Sequence, residues 1–343
     1  MRKMLNTLFI TSEDVYLALE NENVAVYRGE TKAGMYPLSV LEGILSFSYK
    51  GASPALMGAC VERGIGLTFL TPNGRMLARA AGPTNGNVLL RRQQYRIADE
   101  AAASCRMARN MIFGKVHNSR WVLERTLRDH ALRVDSDKLR DASLRLQEAL
   151  PPILAAEDLD SLRGMEGKAS AYYFGVWDEL ILNRKDIFRF EGRNRRPPLD
   201  RVNAALSMTY TLLTHDCAAA LESVGLDAYV GFMHRDRPGR TSLALDLMEE
   251  LRAPLADRFV LTLINTRVLQ KQHFRTQSGG AVLLTDEGRK LLIGAWQNRK
   301  KEEITHPYLK EKIPWGLVPY VQALLLARSL RGDLDAYPPF LWK

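Results

Sequence analysis

The segment Gly82-Pro83-Thr84-Asn85-Gly86 constrains this chain more than any other, because the hydrophobic period changes there. Glycine and proline at this density break regular structure. Before it lie short apolar and β-branched runs, Leu5–Thr11, Val15–Glu20 and Asn23–Arg28, with turn material at Asn21-Glu22-Asn23. Pro54–Glu62 predicts a short helix capped by Ser53, since proline suits the first helical position. Ile65–Leu70 and Arg75–Ala81 predict strands joined through the turn Pro72-Asn73-Gly74. After the segment the spacing becomes helical. Val88–Ile112 is long, rich in Arg and Ala and free of proline. Helices are predicted over Val116–Leu132, Ser136–Ala149, Leu159–Trp177, Val202–Val224, Pro254–Leu269, Asp286–Arg299 and Pro319–Arg331, with a break at Pro151-Pro152. The expected fold class is α+β: a small β-rich domain over 1–82, a linker at 83–87 and a larger all-α domain over 88–343.

A length of 343 residues suits two domains. Lysine and arginine number 48 against 39 acidic residues, a net charge of +9 that favours a polyanionic partner such as nucleic acid. The longest apolar runs, such as Leu317–Ala327 with Gln322 inside it, fall short of a membrane span. The N-terminus has no signal-peptide core, so a cytoplasmic location and no membrane partner are expected. Cys60, Cys105 and Cys217 are too scattered for a zinc finger and read as free buried thiols.

The chemistry gathers in Gly231–Arg252, GFMHRDRPGRTSLALDLMEELR. His234 follows an apolar approach and opens a basic loop with Arg235, Arg237 and Arg240, broken by Pro238-Gly239. A helix then starts, with Thr241 or Ser242 as candidate cap, and carries Asp246, Glu249 and Glu250 on roughly one face. Singly, each acid reads as a solvated charge and the histidine as structural. Together they are a loop-helix unit able to hold a divalent metal beside a polyanion. A second candidate is Glu166 in Arg163-Gly164-Met165-Glu166-Gly167-Lys168, ahead of an aromatic helical run in which Tyr172 reads as packing or base stacking. A third is the basic stretch with Arg184, Lys185, Arg189, Arg193, Arg195 and Arg196, interleaved by Phe188 and Phe190, a composition suited to phosphates and unstacked bases. The aromatic tail Tyr337–Trp342 can dock on a partner or on its own core.

Gly164-Met165-Glu166-Gly167, Pro197-Pro198 with Asn203–Ser207, and the Gly231–Arg252 unit, in that order, resemble the CRISPR-associated endonuclease/integrase, the larger of the two core CRISPR adaptation proteins, here of a type I system. The resemblance covers nearly the whole chain. It implies metal ligands at Glu166, His234 and Glu249, with Asp246 in a supporting catalytic role, and Mg²⁺ or Mn²⁺ as cofactor. It implies a homodimer that joins a small partner protein, captures short double-stranded DNA with free 3′ ends and inserts it into CRISPR repeat DNA by 3′-hydroxyl attack on a phosphodiester. Lys168, Arg184, Arg193, Arg195, Arg196, Arg235, Arg237 and Arg240 are the expected DNA-backbone contacts. The alternatives are a DNA-binding structural subunit and a branched-DNA repair nuclease.

Overall fold

The computed structural model describes residues 7–41, 43–71, 76–82, 88–183, 185–194 and 197–343. The expected linker at 83–87, the turn Pro72–Gly74, Arg184, Arg195 and Arg196 lie outside these residues. In chain order the N-terminal elements are β1 (Thr7–Ile10), β2 (Val15–Glu20), β3 (Asn23–Arg28), β4 (Thr31–Pro37), β5 (Gly43–Ser46), α1 (Pro54–Glu62), β6 (Gly66–Leu70) and β7 (Met76–Arg79). The helices that follow are α2 (Val88–Asp99), α3 (Ala101–His130), α4 (Ser136–Glu148), α5 (Leu150–Leu154), α6 (Leu159–Gly175), α7 (Arg201–Ser223), α8 (Ser242–Leu251), α9 (Arg258–Asn265), α10 (Asp286–Lys301) and α11 (Val318–Arg331). The fold is thus α+β, strands first and helices after. Two-stranded ribbons, Phe274–Thr276 with Val282–Leu284 and Glu303–Thr305 with Lys312–Pro314, interrupt the helical part.

The chain packs as two compact units. One comprises residues up to 85 together with 284–302, so α10 belongs with the strands although the sequence reading ran the helical domain unbroken from 88 to 343. The other comprises 86–283 and 303–343.

In the first unit, β2, β3 and β4 form an antiparallel meander, while β1, β5 and β6 run parallel and β7 returns antiparallel to β6. The β2–β3 turn places Asn21 at φ 45° and Glu22 at φ 62°. Positive φ at both central residues gives a turn whose twist matches the flanking strands. Ser53 Oγ accepts the Leu56 amide at 3.2 Å and Pro54 opens α1, as the sequence predicts. Leu17, Val24, Ile44, Leu56, Cys60 and Leu67 are fully buried between these layers. In α10 the N-terminal acids and C-terminal Arg299, Lys300 and Lys301 complement the helix dipole, and the Thr285 hydroxyl caps its first turn.

The second unit is built around α3, which packs against α4, α6 and α8. Pro254 does not begin a separate helix after α8. The axis runs on through a π-helical stretch, Arg252–Asp257, into α9. Proline has no N–H for the carbonyl four residues back, and its ring crowds that carbonyl. The Glu250 carbonyl so released is taken by Asn118 Nδ2 of α3 at 2.6 Å. Asn118 also donates to the Phe340 carbonyl at 2.7 Å and accepts the Trp342 amide at 2.8 Å. The aromatic tail therefore docks on its own core, where Tyr337, Phe340 and Trp342 are buried.

Asn118→Ala should leave two buried carbonyls and a buried amide unmatched, at a cost of about 2–4 kcal/mol. Chemical denaturation checks this, and a midpoint equal to wild type would contradict the role.

Candidate metal and phosphodiester site

Asp246, Glu249 and Glu250 of α8 are 1%, 4% and 0% exposed, so none is the solvated charge that an acidic helix face usually presents. Spaced at three and four residues, they fan around the helix and each finds a different partner. Asp246 turns to the loop before α8, Glu249 to α3, and Glu250 to the tail.

Asp246 accepts the backbone amides of Phe232, Met233 and His234 at 2.6, 2.9 and 3.0 Å, and His234 Nδ1 at 2.5 Å. An imidazole whose Nδ1–H is held by a carboxylate presents Nε2 as a lone pair. Asp246 therefore fixes the position of the His234 ring. Gly231 makes this approach possible, because a Cβ there would lie 2.8 Å from Asp246 Oδ2 and 2.9 Å from the Ser242 backbone carbon. Helix α8 is not capped by a hydroxyl. Ser242 Oγ instead donates to the Arg235 carbonyl at 3.2 Å, and the Ala228 carbonyl accepts the Leu243 and Ala244 amides. The chain doubling back over the helix start supplies what a capping side chain would.

Glu166 of α6 and Glu249 of α8 meet at one cation, Lys115 of α3. The Lys115 ammonium contacts Glu166 Oε1 and lies 2.8 Å from Glu249 Oε2. Ser170 Oγ also donates to Glu166 at 2.8 Å, and Arg252 reaches Glu249 Oε1 at 2.9 Å. Burial alone would raise the Glu249 carboxyl, but Arg252, Lys115 and His234 outweigh it and hold it down at about 2. Glu249 Oε2 is buried against the Lys115 ammonium, while its other oxygen is held by Arg252. A carboxylate oxygen paired with a cation is the kind of donor that an oxygen-seeking divalent ion takes. Among the described residues no three His, Cys, Asp or Glu side chains converge closely enough to cage an ion by themselves. Glu166 and Glu249 are brought together through Lys115, with His234 close enough to act on Glu249 electrostatically.

A cavity of about 680 Å³ opens beside this pair, lined by Lys115, Glu166, Tyr173, Arg193, Arg252 and Asp257 among others. Arg193 and Arg252 each stand 5.0 Å from the centroid of the Tyr210 ring. The Tyr210 and Tyr173 hydroxyls donate to Asp257 at 2.5 and 3.1 Å. Burial raises the Asp257 carboxyl to about 6 against the lowering effect of these donors and both guanidiniums. On the His234 side a second cavity of about 380 Å³ is lined by Arg163, Asp160, Arg235 and Asp236.

The expected DNA contacts differ in their setting. Lys168, Arg235 and Arg237 are exposed, and Arg240 is half-buried behind a turn in which Gly239 sits at φ 72°. Arg193 is turned inward, bonded to Asn203 and stacked on Tyr210. Phe188 and Phe190 are core residues, packed against Phe274 and Trp177 respectively, so they do not interleave the basic residues on a surface. Tyr172 carries Arg145 and Lys168 over its ring. Sequence reasoning missed Lys115, Arg252 and Asp257. Lys115 left a signal: a lone cation on the stripe of α3 that buries Met111, Ile112, Val116, Asn118 and Ser119 needs a carboxylate partner.

The chain belongs to the CRISPR associated protein Cas1 family, whose profile matches residues 8–298. It is 52% identical over 347 residues to the CRISPR-associated endonuclease Cas1 2 of Rhodospirillum rubrum, with all of both chains covered. It is 48% identical over 343 residues to the CRISPR-associated endonuclease Cas1 1 of Chlorobaculum tepidum, again with both fully covered. The fold is similar to that of a CAS1 protein from Thermotoga maritima, with a TM-score of 0.80 at 20% identity, covering 98% of this chain and 100% of that one. It is also similar to a casposase bound to integration product, with a TM-score of 0.83 at 20% identity, covering 98% and 94%. No helix among the described residues is long and apolar enough to cross a membrane.

Two outcomes follow from the geometry. Gly231→Ala should push the loop off Asp246, free the His234 ring and destabilise the protein by roughly 1–3 kcal/mol, read as a lowered melting midpoint together with a shifted His234 imidazole resonance. Asp257 retains a proton in the folded state over a range, from its ordinary value near 3.8 up to about 6, in which the unfolded chain has released it. Its contribution to stability is therefore full below that range and falls as pH rises through it. Melting midpoints taken across pH 4–7, about the span of those two values, should decline less steeply in Asp257→Asn than in wild type.

Proposed function

We propose that this chain is a metal-dependent DNA endonuclease and integrase of CRISPR adaptation, inserting short foreign DNA into the repeat array through attack of a DNA 3′-hydroxyl on a phosphodiester. The observation that carries the reading is the meeting of Glu166 and Glu249, from separate helices, on one cation, with Nε2 of His234 left available by Asp246. Two carboxylates and a neutral imidazole suit Mg²⁺ or Mn²⁺, which would be held by Glu166, His234 and Glu249. Bound there, such an ion polarises a phosphodiester and lowers the pKa of an attacking hydroxyl or water.

The chain's own residues do the rest. Asp246 fixes the imidazole so that its free nitrogen keeps one direction. Arg252, anchored on Glu249 and on the Tyr210 ring, sets the carboxylate's orientation. The exposed Arg235 and Arg237, with Lys168, offer donors to phosphate oxygens, where charge-assisted hydrogen bonds are strongest. Phosphate contacts position DNA without reading its sequence. Inward-turned Arg193 supports the cavity wall, and phosphate contact by Arg193 follows only where DNA enters that cavity. Arg184, Arg195, Arg196 and Arg240 complete the proposed backbone track.

The partners proposed are double-stranded DNA with free 3′ ends, CRISPR repeat DNA, a small adaptation protein and a second copy of the chain. Proteins of similar fold are found in a Cas6-RT-Cas1–Cas2 complex and in a TtCas1-DNA complex, which supports DNA and a partner protein as the class to test. The β-rich unit is the proposed dimer module, because the outer strand β4 is mostly exposed along its length and sheet edges pair readily. An isologous pair would hold two sites at a fixed spacing, as two-ended insertion requires.

Glu166→Ala and Glu249→Gln should each lower Mn²⁺-dependent cleavage and strand transfer by a factor on the order of 10² or more, with DNA affinity retained. Assays of a 3′-ended duplex against a repeat-bearing plasmid, with a branched DNA run beside it, check this. Full activity in either variant would return the chain to a DNA-binding subunit, and cleavage confined to branched DNA would make it a repair nuclease.

A further inference from the structure

The metal reading gives no part to Lys115, yet Lys115 occupies the place that reading assigns to the ion. Its side chain is 12% exposed, and it is reached by Glu166 from α6 and Glu249 from α8. Two carboxylates this close, one of them nearly buried, repel each other unless a cation lies between them. Arg252 does not fill that role, since it holds the other oxygen of Glu249 and is stacked on Tyr210.

We propose that Lys115 is a resident counter-cation that occupies the seat between Glu166 and Glu249 until a divalent ion enters, and then withdraws into the adjoining cavity. The inference rests on the metal reading of the site. It explains why the residue is lysine. An ammonium is a compact point charge on a flexible four-carbon stem and can leave, whereas a guanidinium in a bidentate or stacked setting is held in place. There is room for the withdrawal, because Lys115 itself lines the 680 Å³ cavity, as do Ser119, Ser170 and Tyr210. Charge favours it as well. A divalent ion replaces one positive charge by two between the same carboxylates, and the displaced ammonium remains within the cavity wall. Before loading, Lys115 keeps the two ligands in register, so the ion meets a site already assembled. The cost is competition, since ammonium and ion cannot both hold the same two oxygens.

This arrangement makes two quantities move in opposite directions when Lys115 is replaced. A lysine that merely supports the fold would, on removal, lower stability and weaken metal binding together. A displaceable counter-cation would, on removal, lower the stability of the metal-free protein and tighten metal binding. The full chain carrying Lys115→Met is compared with wild type by titration with Mn²⁺ alone, followed through the electron paramagnetic resonance of the free ion. The expected result is Mn²⁺ affinity on the order of tenfold tighter, a lower melting temperature without metal and a larger Mn²⁺-induced rise. Lys115→Gln, which keeps a hydrogen-bonding terminus without charge, should behave alike. In wild-type protein, saturating Mn²⁺ should increase labelling of Lys115 by an amine-reactive reagent, read by mass spectrometry. Mn²⁺ affinity equal to or weaker than wild type in both variants, or labelling unchanged while Mn²⁺ is bound, would overturn the proposal and leave the metal reading standing. Absence of Mn²⁺ binding in wild type and variants alike would overturn the metal reading, and this inference with it.

Discussion

Burying three carboxylates on one ten-residue helix is the constraint from which the rest of the second unit follows. A buried acid is tolerated only when it is ion-paired, hydrogen-bonded or protonated. Helix α8 pairs one acid with cations and hydrogen-bonds the other two. Asp246 is surrounded by backbone amides and an imidazole, Glu249 by Lys115 and Arg252, and Glu250 by Tyr337, Gln322 and the Phe340 amide. Burial holds the Glu250 carboxyl up at about 7 while the Glu249 carboxyl beside it is drawn down to about 2. Neighbours in sequence thus stand at opposite ends of the carboxylate range, because a helix turns them toward different surroundings.

Each solution recruits a different part of the chain. The loop over Gly231 must pass close to α8, the long helix α3 must bring a lysine to its apolar stripe, and the tail must return to cover Glu250. The site is therefore not an insert placed on a finished scaffold. The packing that buries α8 is also what orients the histidine and spaces the two carboxylates.

The sequence carried a good part of this. The change of period near Gly82 located the passage from strands to helices, Ser53-Pro54 located a helix start, and Glu166 and Glu249, both candidates by sequence, meet on Lys115. What escaped did so for physical reasons. Strand β4 is exposed along most of its length and shows no alternation. Strand β5 is short and has paired strands on both sides, so its apolar run carries no period of two. The affiliation of α10 depends on contacts across almost the whole chain. At Pro254 the local rule for a helix start was sound, but the freed carbonyl found Asn118, 132 residues away in sequence, and the axis continued. Phe188 and Phe190 belong to a basic stretch by composition and to the core by position. The partners that decided each of these cases lie far off along the chain, and no local window contains them.

The docked tail has a consequence for the order in which the protein is made. Helix α8 leaves the ribosome long before residues 337–342, and the Glu250–Phe340 and Asn118–Trp342 hydrogen bonds span 90 and 224 positions. Until those last partners arrive, Glu250 and Asn118 lack the hydrogen bonds that the tail supplies. The packing around α8 can therefore be completed only after the tail has been translated.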